Sequence, residues 1–234
     1  LRCLVGSEMC IRDRYYVGQD LKTDGMVVTV TFEDESTQTT TAYTLSGYDK
    51  KTVGTQTVTV RYKGFSDTFD VTVKEAEAVS ISGVTVEDKT YDGKPIEYSG
   101  TPTSDNYSGD YEYIWETADG TVLDSAPINA GNYKLVVKVS DETFAHTGSV
   151  EIPFTINKAA LTITAENKSI AFGMNAPEFT CKADGLVDGD TLSATYSCDY
   201  TVESPIGDYA IIPTDCTFTS GGKDNYDITY VNGT

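Results

Sequence analysis

The chain has 234 residues, with 36 Asp and Glu against 17 Lys and Arg and a net charge of −19. A duplex or RNA binder needs clustered cations to displace counterions, so this balance excludes nucleic acid as a partner and disfavours anionic lipid surfaces. No apolar run of about 18 residues offers a membrane-spanning helix, and no basic start followed by an apolar stretch marks a signal peptide.

Residues 4–14 read LVGSEMCIRDR. That string resembles the translation of a transposase sequencing adapter. Residues 1–14 are therefore set apart as a library artefact, expected to be unstructured, and excluded from fold reasoning as a tag would be. They hold three Arg against Glu8 and Asp13, so the rest of the chain is more acidic still. Cys3 and Cys10 leave with them, and Cys181, Cys198 and Cys216 stay.

A pattern of apolar residue, Gly, any residue, then Gln or Tyr occurs three times: Val53-Gly54-Thr55-Gln56, Ala130-Gly131-Asn132-Tyr133 and Ile206-Gly207-Asp208-Tyr209. The glycines stand 77 and 76 residues apart. That period is too long for a solenoid repeat and suits a small complete domain. It predicts three β modules, at 15–74, 79–157 and 158–234, with a charged linker at 75–78.

In the first module Val28, Val30 and Phe32 alternate with polar residues, the mark of a half-buried strand. Glu33 to Ser36 reads as a turn and Thr37 to Tyr43 as a return strand. Gln56, Val58, Val60 and Tyr62 alternate next, Lys63-Gly64 turns the chain, and Phe69, Val71 and Val73 close the module. In the second, Thr90 to Gly93 is a turn, and Tyr111, Tyr113 and Trp115 share one face of a strand. Asp119-Gly120 signals a hairpin before Val122. Tyr133, Leu135, Val137 and Val139 alternate, then Ile152, Phe154 and Ile156. Pro153 places that last strand at an edge or a bulge. The third module follows without a flexible linker. It has strands predicted at Leu161–Thr164 and near Phe179–Ala183, Leu192–Asp199, Gly207–Ile212 and Tyr226–Val231, and a helical turn or loop at Val187–Thr191. The closing Asn232-Gly233 is a type I′ hairpin signal, which predicts a further returning strand.

Little in the chain carries chemistry. The single histidine, His146, has no second His or Cys placed to build a zinc site and no nucleophile to serve as a base. Asp184, Asp188 and Asp190 sit among glycines and read as turn acids; calcium ligation or a catalytic carboxylate pair are the alternatives. Cys181, Cys198 and Cys216 allow one disulfide in three pairings, or three free thiols. Tyr111, Tyr113 and Trp115, with Tyr107 nearby, are either strand packing or an aromatic platform that stacks on sugars. No GxxxxGK[ST], GxGxxG or HExxH motif is present, so no cofactor and no metal are implied.

Tyr16-Val17-Gly18-Gln19-Asp20-Leu21, Val27 to Phe32 and Val53 to Val60 resemble bacterial immunoglobulin-like domains of the group 3 type, without that family's first strand. Lys89-Thr90-Tyr91-Asp92-Gly93 and Ala126 to Tyr133 resemble YDG-type repeats. Lys158 to Ala165, Gly185 to Thr191, Ser204 to Tyr209 and Asn225 to Gly233 resemble the MBG (YGX) repeat, with Phe172-Gly173 where that family has Tyr-Gly. The resemblance implies an all-β chain of three tandem Ig-like or sandwich-type modules in an elongated arrangement. It implies a non-catalytic spacer of a bacterial cell-surface or secreted adhesin-like protein, extracellular, whose partners are the rest of a larger surface protein and a host or environmental glycan or protein. The rival is a glycan- or mucin-binding module using Tyr111, Tyr113 and Trp115. At ten residues per strand each module spans about 33 Å and three in line about 100 Å.

Overall fold

A computed structural model of the chain describes residues 2–4, 14–32 and 34–234. Among them the regular elements are β-strands and one 3-10 turn, Lys223–Asn225. The chain divides into two compact units. One comprises Leu1–Ile81, Thr103–Glu112 and Lys138–Ser149; the other comprises Ser82–Pro102, Tyr113–Val137 and Val150–Thr234.

The first stretch supplies β1 (Arg2–Leu4), β2 (Arg14–Tyr16), β3 (Val28–Thr31), β4 (Thr37–Thr40), β5 (Thr44–Ser46), β6 (Gly54–Tyr62) and β7 (Phe65–Lys74). They make a three-stranded sheet, β1-β3-β4, and a four-stranded sheet, β2-β7-β6-β5. Period-2 alternation buries Val28 and Val30 of β3, which cluster with Val60 of β6 and Met26, while Val58 clusters with Val71, Val73 and Tyr15. The facing valines of the two sheets form a sandwich core. The return strand stops at Thr40, short of the predicted Tyr43, where residues 41–43 turn the chain toward the other sheet. Asp34 fixes the preceding turn by accepting the Ser36 N–H at 3.0 Å; Glu33 lies outside the described residues.

The expectation that residues 1–14 are unstructured does not hold for its two ends. Arg2–Leu4 pair antiparallel with β3, and Arg14 opens β2, which runs parallel to β7. Residues 1 and 5–13, most of the adapter-like string, lie outside the described residues. A sheet edge accepts any extended segment through backbone atoms alone, so the pairing of Arg2–Leu4 says nothing about where that string came from.

The middle stretch supplies β8 (Glu77–Ala78), β9 (Ser82–Thr85), β10 (Lys89–Thr90), β11 (Ser99–Thr103), β12 (Asp110–Thr117), β13 (Val122–Leu123), β14 (Gly131–Ser140), β15 (His146–Thr147) and β16 (Ser149–Asn157). Five of them form one sheet in the order β10-β16-β14-β12-β13. Leu135, Val137 and Ile156 are fully buried there. The Asp119-Gly120 hairpin pairs Trp115 with Leu123. Pro153 is tolerated because β10 reaches only Ile156 and Asn157 of β16, leaving an open side at the proline.

The last stretch supplies β17 (Ala159–Ala165), β18 (Cys181–Asp184), β19 (Thr191–Ser197), β20 (Ile212–Ser220) and β21 (Tyr226–Val231). β17 is central, antiparallel to β18 and parallel to β21, while β19 and β20 pair separately. Of the stretch Val187–Thr191, residues 187–190 are a loop, closed by the Asp190 N–H donating to the Val187 carbonyl at 3.0 Å, and Thr191 opens β19. Two expectations are corrected. The strand predicted at Gly207–Ile212 instead begins at Ile212 and runs to Ser220; Pro213 and a register shift at Thr195/Tyr196 break the alternation that would have revealed it. Asn232-Gly233 is not a type I′ turn: Gly233 lacks the positive φ that turn requires and pairs with Ile211 through two backbone hydrogen bonds. Its glycine is demanded by crowding, since a Cβ there would lie 2.6 Å from the Ala165 carbonyl oxygen.

Candidate functional site

The aromatic residues of β12 divide between two environments. In the first unit Tyr111 is half-buried and meets the ring of Tyr107 edge-on at 5.4 Å, and Tyr107 lies 5.1 Å from the His146 ring. The Tyr111 hydroxyl is buried with no hydrogen-bond partner among the described residues. In the second unit Tyr113 stacks on Tyr98 at 4.8 Å, and Trp115 sets its edge against buried Phe154 at 5.7 Å. Tyr98 is the open member of this group, 42% exposed.

Cys181, Cys198 and Cys216 are all free thiols, and none of the three pairings is formed. Cys181 and Cys216 stand on different sheets, and the Tyr230 hydroxyl lies 3.4 Å from the Cys216 sulfur. Among the described residues no group of His, Cys, Asp and Glu is placed to hold a metal ion. His146 is set by Asp141, whose Oδ2 takes the His146 backbone N–H at 2.9 Å and faces Nδ1 at 2.8 Å. Oδ1 of the same carboxylate accepts the N–H and hydroxyl of Thr143. Burial pushes the Asp141 carboxyl up, but these Thr143 and His146 bonds outweigh it and hold it at about 2.

The thrice-repeated glycine pattern has a common physical basis that its sequence alone did not reveal. In each copy the residue two after the glycine reaches back to the backbone carbonyl two before it. Gln56 Nε2 donates to Thr52 at 2.5 Å, the Tyr133 hydroxyl to Asn129 at 3.0 Å, and the Tyr209 hydroxyl to Pro205 at 2.7 Å. A long side chain with a terminal donor completes that reach, which Gln56 supplies in the first copy and Tyr133 and Tyr209 in the other two.

Beside each of these loops lies a second turn closed by a glycine in the left-handed region: Gly18 (φ 96), Gly93 (φ 74) and Gly173 (φ 78). The first two receive a loop from elsewhere in their own unit. At the Gly18 turn, Gln19 Nε2 donates to the Thr143 carbonyl at 2.6 Å while its Oε1 accepts the Tyr16 N–H at 2.7 Å. A Cβ on Gly18 would come within 3.3 Å of the Phe144 ring. At the Gly93 turn, Tyr91 meets Tyr226 edge-on at 5.5 Å, and both hydroxyls donate to Asp190 Oδ2. Burial, then the bond to Asp190, raises both phenols above their ordinary range. Asn225 completes this junction. It is buried, accepts the Ala130 N–H at 2.8 Å and donates to Asn129 Oδ1 at 3.1 Å. Asp190, read from sequence as a turn acid, is thus the acceptor of a junction, while Asp184 and Asp188 stay in or beside the turn.

Residues 161–234 match the MBG domain (YGX type) family, and residues 13–73 match the bacterial Ig-like domain (group 3) family. The chain carries one domain of each kind. No curated protein matches the chain. Among solved structures it is similar to the N-terminal four Ig domains of Dscam1 isoform 4.44, at 12% identity over 85% of this chain and 60% of that one, with a TM-score of 0.24. It is also similar to domains 4–9 of the surface layer protein SbsC, at 10% identity over 87% and 42% of the two chains, with a TM-score of 0.20. A third similarity is to EC1-3 of mouse clustered PcdhgC3, at 14% identity over 67% and 59%, with a TM-score of 0.20. The chain spans about three fifths of the length of the Dscam1 fragment.

Ig-like and MBG domains fit a repeat region of a bacterial surface protein, and such repeats are typically non-catalytic. Among the described residues no helix is long and apolar enough to cross a membrane. In the MBG domain the third left-handed turn, with Phe172 and Gly173, borders a cleft of about 330 Å³. Ile206, Tyr209 and Cys198 also line it. Sequence reasoning assigned no residue to a junction, because a buried Gln19 or Asn225 looks like any polar loop residue until its partner, roughly a hundred positions away, is known.

Proposed function

We propose that the chain is a non-catalytic spacer from a bacterial cell-surface or secreted adhesin-like protein, extracellular, whose partner is the rest of that larger protein. The observation that carries this reading is the passage from β16, ending at Asn157, to β17, starting at Ala159. One residue separates two strands of different sheets, and the polar clamp of Asn225, Tyr226, Asp190 and Tyr91 secures the same junction. A one-residue connection has too few free dihedrals to act as a hinge, and a buried hydrogen-bonded Asn resists separation because parting the surfaces breaks its bonds. Such a junction transmits force and holds distance.

Spin labels on cysteines placed at Glu97 and Ser193, in a chain whose other cysteines are replaced by Ala, test this reading by pulsed dipolar spectroscopy. A single narrow distance distribution is expected, broadened by Asn225→Ala. A broad distribution in the parent would overturn the spacer reading.

Exposed Tyr98 beside Tyr113 favours one rival, a glycan platform with Tyr111, Tyr113 and Trp115. A glycan-array signal abolished by Trp115→Ala, with the fold intact, would replace the spacer by that module. The edge contact of Trp115 with buried Phe154 supports a packing role instead.

A further inference from the structure

The three left-handed turns behave as a series. At the Gly18 turn the incoming loop is Asp141–Phe144, which joins β14 to the closing strands β15 and β16. At the Gly93 turn two segments arrive: the β18–β19 loop, with Val187 against Gly93 and Asp190 on the Tyr91 hydroxyl, and Gly221–Asn225, which joins β20 to the closing strand β21 and bonds the neighbouring glycine-pattern loop at Ala130. Asp141–Phe144 and Gly221–Asn225 hold the same place, between the penultimate long strand and the last strand of their stretch. In the second junction the neighbouring glycine-pattern loop also takes part, through Asn129 and Ala130.

The MBG domain repeats both receiving parts. Its turn holds Gly173 at φ 78, and its glycine-pattern loop is braced by the same i to i+4 bond, Tyr209 to Pro205. Here the two parts flank the 330 Å³ cleft, and their side chains stand open: Phe172 is 69% exposed and Ile206 is 89% exposed. Ile170, 40% exposed, lines the same cleft. Apolar side chains this exposed and this clustered mark an interaction surface.

We propose that this cleft is a docking socket for one further β module of the same kind, which inserts the loop before its last strand. The proposal deepens the spacer reading and rests on it. The exposed side chains at the mouth, Phe172 and Ile206, are apolar and offer no hydrogen-bonding group. The socket therefore favours a loop with an apolar tip, as Phe144 provides at Gly18, over a polar one such as Asn225. Thr234 lies on the rim of the cleft.

Cys198, a half-buried thiol lining the cleft, is a native reporter. The test extends the chain after Thr234 with a second copy of residues 79–157 and measures maleimide labelling of Cys198 by peptide mass mapping. Folding of the added module is read independently from its amide spectrum. If that copy does not fold, a copy of 79–234 takes its place. The expected result is labelling at least tenfold slower than in the parent chain, restored by Ile206→Asp. Ile206 is too exposed for that change to disturb the parent fold. Unchanged labelling beside a folded added module overturns the proposal, as does protection that survives Ile206→Asp. Protection of Cys198 in the parent by a soluble sugar or peptide likewise overturns it, in favour of a ligand cleft. The spin-label distance concerns a different junction, so the socket can fail while the spacer reading stands.

Discussion

Asn225 shows how much a single buried amide can decide. Its two bonds satisfy the half-buried Ala130 N–H and the Asn129 side chain from a side chain that is itself buried. Asn225→Ala removes both bonds and is expected to cost about 1–3 kcal/mol, read as a lower urea midpoint at unchanged slope. Asp141 makes the corresponding statement about pH. Its folded pKa, about 2, lies below the ordinary 3.8, so the carboxylate stabilises the fold above pH 3.8. That stability disappears as pH falls through 3.8 toward 2, and protonation there removes roughly 2 kcal/mol. The Asp141 side chain is only 9% exposed, so screening by solvent removes little of this. Acid unfolding of Asp141→Asn should therefore show a flatter pH dependence between those two values than the parent. Neither residue could be singled out from sequence, because burial is a property of partners that lie far along the chain.

At the scale of elements, strand position follows alternation wherever one face is buried. β3, β6, β7 and β14 stand where Val28, Val58, Val71 and Leu135 predicted them. β20 shows the opposite case. Its inward residues, Pro213, Cys216 and Phe218, are not evenly spaced, because the register against β19 shifts between Thr195 and Tyr196. The glycine-pattern loops that precede β6, β14 and β20 are braced by a side chain rather than by strand pairing. Removing the brace with Tyr133→Phe or Tyr209→Phe is expected to cost about 0.5–1.5 kcal/mol each, since one hydrogen bond is lost and the ring's packing is kept. Thermal unfolding of the two variants checks it. Gly233→Ala should be worse than either, because its methyl would press on the Ala165 carbonyl and part the contact with Ile211.

For the molecule as a whole, charge is the dominant long-range term. With 36 acidic and 17 basic residues, folding brings like charges together over both units. Several ion pairs among the described residues are exposed on both sides, as with Lys50–Asp20 and Lys182–Asp184, and such pairs offset little of that repulsion. Added NaCl, from about 10 mM to about 150 mM, shortens the Debye length from about 30 Å to about 8 Å and should raise the melting temperature. A melting temperature that falls with salt would mean the surface pairs outweigh the net charge.

Sequence by itself determined the all-β class and most strand positions, which follow from local quantities: side-chain period and glycine spacing. The likeness of the two outer stretches to the bacterial Ig-like and MBG families rests on their motifs. Only the tertiary structure decided which polar residues are buried, what the repeated glycine loop is for, and which of its copies stand open. Those properties depend on partners far away in the chain, and no local pattern encodes a distance that folding alone creates.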